Sequence, residues 1–195
     1  MRVLADMPST FTSATAFSRG VHPRDLYAWR DAGELVELSR GVFRRVDAPP
    51  AAHPDLLAVA YRAPRAIVCC VSAAAVHELT DEQPVRVQVA VPNGAHPPRI
   101  DHPPTKVFRF DPRTFELGLG SAEAAPGEPV RVYDPARTVV DLMRLRHRLG
   151  ESTAHVALNR YVSRRDARPA RLLEYARELG VVGPVRRALD VVNAR

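Results

Sequence analysis

A short stretch, HPRDLYAWRD at 22–31, concentrates hydrogen-bonding side chains on what reads as one helix. Leu26 and Trp29, three apart, bury one face, and Arg24, Tyr27 and Arg30 stand off it. Guanidinium and phenol groups on an exposed helix offer donors that match base edges and phosphate oxygens, the chemistry by which a helix reads a DNA major groove. Arg40, Arg44 and Arg45 follow closely and supply charge for flanking phosphates. Thr12, Ser13 and His22, placed where helices begin, complete the candidate DNA-contact set.

The elements that must hold these groups follow from local chemistry. Thr12 is a good N-cap for a first short helix, with Ala14, Phe17 and Val21 expected to face inward and Gly20 ending it. Pro23 opens a second helix, because proline at the first helical position loses no hydrogen bond, and Gly33 closes it. The runs 34–38 and 42–46 are short and rich in valine and leucine, with Ser39, Arg40 and Gly41 between them, so they read as a hairpin. Helix, turn, helix and hairpin in this order predict a winged helix-turn-helix over residues 1–47. A small helical subdomain with a merely solvated basic face fits the same pattern.

The formal net charge of +6 and a pI near 10.0 favour a nucleic-acid partner. Residues 1–46 carry seven arginines against five acids, and residues 136–195 carry thirteen basic residues against six acids, so the excess lies in the last third. Lys106 is the one lysine among 28 basic residues. The adjacent Cys69 and Cys70 lie in an apolar run and are expected to be reduced, buried and inert. No run of about 18 apolar residues is long enough for a bilayer, and the first ten residues have no secretory pattern, so no membrane partner is expected and the cytosol is the expected location.

Beyond Val46, DAPPAAHP reads as an extended connector, giving a linker at 48–54 and a second domain at 55–195. That domain is expected to hold a helix at 55–62, a strand at 66–71, a helix at 73–79 capped by Ser72, a strand at 85–91 with one buried face, and strands at 106–110 and 130–133. Ten of the 18 prolines fall between Pro84 and Pro135 and place loops there. Asp134 and Pro135 open a helix running to about Arg148, and helices follow at 152–163, 169–179 and 184–192. Arg144, Arg148, Arg160, Arg164, Arg165 and Arg168 fall mostly off the apolar stripes, either as a solvated surface or as contacts to phosphate or a protein partner. His96, Asp101 and His102 share one loop, but no second cluster has ligand spacing and no metal is expected. The strand at 85–91 carries no carboxylate or lysine, glycine-rich phosphate loops are absent, and neither an enzyme nor a cofactor is expected.

Three stretches, GELVELSRGVFR at 33–44, VSAAAVHEL at 71–79 and VYDPARTVVDLMR at 132–144, resemble the AbiEi family of antitoxins in order and separation. The resemblance implies an α+β protein, an N-terminal winged helix-turn-helix followed by a mixed α/β antitoxin domain ending in a helical bundle. It further implies a type IV toxin–antitoxin role: repression of its own operon through inverted repeats in double-stranded DNA, and opposition to a cognate nucleotidyltransferase toxin. Arg24, Tyr27 and Arg30 are then the groove residues, and Arg137, Thr138 and Asp141 the signature of the later helix. These last three are expected to be structural, with Asp141 pairing Arg137 at helical spacing. A stand-alone winged-helix regulator with a ligand-sensing or dimerising C-terminal domain is the alternative.

Overall fold

Thr12, still extended, has its side chain accepting from the Thr15 backbone N–H at 3.1 Å, and that cap sets where the first helix of the candidate site begins. The computed structural model describes residues 2–193. The order is α1 (Arg2–Ala5), β1 (Thr10–Thr12), α2 (Ser13–Ser18), α3 (Pro23–Asp31), β2 (Leu35–Ser39), β3 (Val42–Arg45) and α4 (Pro54–Arg62). With residues 98–105 and 123–130, the segment up to Arg65 makes one compact unit.

In this unit β3 is the central strand of a three-stranded antiparallel sheet, β1-β3-β2, with Phe11 opposite Phe43 and Thr10 opposite Arg44. Phe11, Ala16, Val21, Leu26, Leu35 and Phe43 form its core. Removing one such large side chain from water contributes roughly 1.5–3 kcal/mol. The inward residue of α2 is Ala16, whereas Ala14 is exposed and Phe17 is 41% exposed. Phe11 of β1 and Phe43 of β3 supply the large rings of the core to which Ala16 belongs. Strand β1, only three residues long, has no signature in the hydrophobic pattern.

The expected linker is not a boundary. The His53 N–H donates to the Ala124 carbonyl at 3.0 Å, and α4 buries Leu56, Leu57, Ala58 and Val59. That helix packs on the three-stranded sheet, and the Tyr61 hydroxyl donates to the Thr10 carbonyl at 2.9 Å. An amphipathic helix must cover its apolar face, and this one does so within the N-terminal unit. The compact units therefore divide after Arg65.

The second unit contains β4 (Ile67–Val68), α5 (Cys70–Val76), β5 (Val87–Pro92), most of β6 (Thr105–Phe110), parts of β7 (Leu119–Ala125) and β8 (Glu128–Tyr133), and then α6 (Pro135–Arg144), α7 (Arg146–Leu149), α8 (Glu151–Val162), α9 (Pro169–Glu178) and α10 (Val182–Asn193). The sheet order is β6-β5-β4-β8-β7, and β4 runs antiparallel to β5 but parallel to β8, making a mixed sheet. Helix α6, buried along most of its length, packs against α5, α8, α9 and α10.

Several local expectations are corrected here. The expected strand at 66–71 is two residues long, because Cys70 at φ +53° already opens α5. Ser72 lies inside α5 instead of capping it, and its hydroxyl accepts from the Gln88 N–H at 2.9 Å while the Gln88 side-chain carbonyl accepts from the Val71 N–H at 3.0 Å. That exchange lets Gln88 be buried, so β5 is covered on both faces and not on one. Val85, read as the start of this strand, is 92% exposed. Strand β7, LGSAEAA, is rich in alanine and has no apolar alternation to betray it. The long helix from Pro135 breaks at Leu145 into α6 and α7.

Arg137 and Asp141 form an ion pair at 2.9 Å with both side chains fully buried, as their spacing predicts. Arg137 also donates to the Thr114 and Leu117 carbonyls at 2.8 and 2.6 Å and lies 4.3 Å above the Tyr133 ring. Gly118, at φ +71°, makes room for it, since a Cβ there would come within 2.6 Å of the Arg137 Cβ. Cys69 and Cys70 are free and buried, and burial pushes the Cys69 thiol well above its ordinary range. Among the described residues no helix is long and apolar enough to cross a membrane.

Candidate nucleic-acid interface

Helix α3 presents its outer face as its sequence predicts, with Leu26 fully buried beneath and Arg24 exposed above. Trp29 packs on the core but is only partly covered. The His22 Nδ1 accepts from the Arg24 N–H at 3.1 Å, so the imidazole caps the helix. Tyr27 is 41% exposed, its ring edge-on to Phe43 at 6.2 Å. Arg24 and, at the hairpin turn, Arg40 carry no side-chain ion pair among the described residues.

Arg30 is held where it was expected to project freely. Its Nε and Nη2 donate to Asp31 at 3.0 and 2.9 Å, its Nη1 donates to Glu37 at 3.2 Å, and its guanidinium lies 4.9 Å over the Tyr27 ring. These carboxylates hold its proton more tightly than usual, the Asp31 bond most. Glu37 was not singled out from the sequence, yet it joins two parts of the site, because its other oxygen accepts from the Gly41 N–H at 3.0 Å. The only hint was an acid on the outer face of a strand beside arginines. Pairing of β2 with β3 shifts register between Glu37 and Ser39, a bulge that re-aims the strand there.

Thr12 and Ser13 act on structure first. The Ser13 N–H donates to the Gly41 carbonyl at 2.9 Å, and a Cβ on Gly41, whose φ is +74°, would sit 3.2 Å from the Ser13 hydroxyl. The start of α2, the hairpin turn and the outer face of α3 are thus linked by hydrogen bonds.

Arg44 and Arg45 are corrections. Arg44 is buried, donating to the Thr10 hydroxyl at 2.6 Å, to the Pro49 carbonyl and to the Glu128 carboxylate in the same compact unit. Arg45 chelates Asp47 at 2.8 and 2.6 Å and donates to the Ala5 and Met7 carbonyls at 2.8 and 2.9 Å. The cause is β1: with a third strand alongside, β3 is central and its side chains are covered.

The later arginines divide the same way. Arg144 pairs with Asp141 at 2.8 Å, Arg160 with Asp81, and Arg164 with Asp166 at 3.0 Å while also donating to the His77 carbonyl at 3.1 Å. Arg148, Arg165 and Arg168 are exposed and make no ion pair among the described residues. No group of three or more His, Cys, Asp or Glu side chains is placed to hold a metal among the described residues.

Residues 1–46 match the model of a family described as "Transcriptional regulator, AbiEi antitoxin". No curated protein matches the chain. Among solved structures, the crystal structure of the RV2827C protein from Mycobacterium tuberculosis is similar to it, at 17% identity and a TM-score of 0.64, covering 100% of this chain and 79% of that one. Identity at that level speaks to fold alone. The chain accordingly shares a mixed α+β fold with that protein, and its N-terminal segment resembles transcriptional regulators of the antitoxin class.

Proposed function

We propose that the N-terminal unit is a winged helix-turn-helix that reads duplex DNA with α3, and that the protein represses its own toxin–antitoxin operon by binding inverted repeats in the promoter. The observation that carries this is the outer face of α3, where Arg24 and Tyr27 stand exposed over a fully buried Leu26, within the segment that matches the regulator family. Arg24 and Tyr27 contact base edges, Arg40 at the hairpin turn contacts phosphate, and Arg30 exchanges Glu37 for the DNA on binding. Arg44 and Arg45 keep the fold and do not touch the duplex. In the same proposal the remainder of the chain counters a partner nucleotidyltransferase toxin, and no catalysis is assigned to it.

A gel-shift series with the promoter upstream of the gene tests the reading. Arg24→Ala should lose preference for the operator over unrelated duplex, whereas equal affinity of wild type and variant for the operator would remove α3 from the groove. A second reading, a regulator that senses a small molecule, draws on a pocket of about 220 Å³ lined by Asp134, Tyr161, Asp166, Arg168 and Arg171 among others. A neighbouring frame encoding no nucleotidyltransferase would favour that alternative, and co-purification with such a neighbour would favour the first.

A further inference from the structure

Two cations converge on one ring in the second unit. Lys106 Nζ lies 5.2 Å and Arg148 Cζ 5.9 Å from the centre of Phe108, so the two charges are within roughly a Debye length of each other, about 10 Å at 0.1 M salt. The ring of Phe110 is 6.3 Å from that of Phe108, and it carries Arg144 at 4.6 Å and Arg137 at 5.6 Å. Among the described residues these four cations make ion pairs with a single carboxylate, Asp141, which Arg137 and Arg144 share. The group is left with an excess of three positive charges. Cation–π stacking orders such side chains without neutralising them, and holding like charges together is unfavourable until an anion arrives.

We infer that Lys106, Arg144 and Arg148 form a phosphate-contact surface for nucleic acid, separate from α3. The inference rests on the DNA-binding reading and extends it. The shape of the patch favours a polyphosphate over an acidic protein. Protein interfaces are anchored by exposed aromatic or aliphatic side chains at their centre, but here Phe108 and Phe110 are buried, Arg148 is exposed, and Lys106 and Arg144 are half-buried beside them. One exposed and two half-buried cations over a covered apolar floor suit a wet, sequence-independent contact to phosphate oxygens. The patch lies at β6, the outer strand of the five-stranded sheet. It also gives a role to part of the basic excess of the last third of the chain.

The test uses the full chain and a duplex of unrelated sequence, with affinity measured across salt concentrations. K106Q/R148Q should show a salt slope shallower by about 1.8, or about 0.9 for each phosphate no longer neutralised, and binding weaker by on the order of tenfold at 0.1 M salt. K106R/R148K should keep the wild-type slope. Because Lys106 is the single lysine, its acylation by an amine-selective reagent, told apart from that of the α-amine by peptide mapping, reads this site, and the duplex should protect it. An unchanged slope, with Lys106 acylated equally with and without bound duplex, overturns the inference. So does a double variant that binds DNA normally but no longer binds an acidic protein partner. R24A run in parallel separates the two claims: lost operator preference in R24A with no effect of K106Q/R148Q removes this patch alone, and wild-type protein that binds no duplex removes both.

Discussion

The outer face of α3 and the central strand β3 lie close in sequence and are both arginine-bearing, yet they use arginine in opposite ways. Arg24 stands in solvent with its charge unspent, whereas Arg44 is closed in by Thr10, Pro49 and Glu128. The second unit repeats the contrast, with Arg137 wholly covered and Arg148 exposed. Whether an arginine such as Arg44 or Arg24 is closed in as a pin or left in solvent depends on the strands and segments packed around it as well as on the acids near it in sequence.

The largest expected effect is at a pin. Arg137→Ala leaves Asp141 buried with only Arg144 for company, and should cost about 3–5 kcal/mol of stability. Calorimetric melting reads this, and a variant melting like wild type would erase the distinction drawn above. Arg44→Ala should cost about 2–3 kcal/mol, with Glu128→Gln recovering part of the loss because the stranded carboxylate goes with it. Recovery in the double variant, absent when Glu128→Gln is made alone, identifies the pair as a unit. Arg24→Ala belongs to the other class: melting unchanged, operator discrimination reduced by about 1–3 kcal/mol. The smallest effect is at Glu37→Gln, which removes one of the two carboxylates that hold Arg30, Asp31 being the other, and takes an acid from the same surface. It should tighten binding to any duplex by roughly a few-fold and steepen the salt slope. Unaltered affinity in that variant would mean that the Arg30–Glu37 pair persists on DNA.

Much of the frame was legible because it rests on strong local chemistry. Pro23, Pro54, Pro135 and Pro169 each open a helix where their fixed φ allows, and the period of Leu26 and Trp29 aims α3 correctly. The Arg137–Asp141 pair followed from four-residue spacing. What escaped reading was set by distant partners. Three residues of β1 turned β3 from an edge into a centre and so removed Arg44 and Arg45 from the candidate site. Gln88 looked like an outward residue until Ser72 and the Val71 N–H took up its hydrogen bonds. Glu37 acquires its place from a bulge, which no hydrophobic alternation records.

The stitching of Ser13, Gly41, Glu37 and Arg30 has a mechanical consequence. In the proposed complex only the Arg30–Glu37 link opens, so the Ser13–Gly41–Glu37 links still hold the hairpin turn to the start of α2 and leave that surface little freedom to mould itself to its target. In a complex, the duplex rather than the protein then has to deform. Operators with easily kinked TA or CA steps beside the contacted bases would bind better than stiff ones bearing the same contacts.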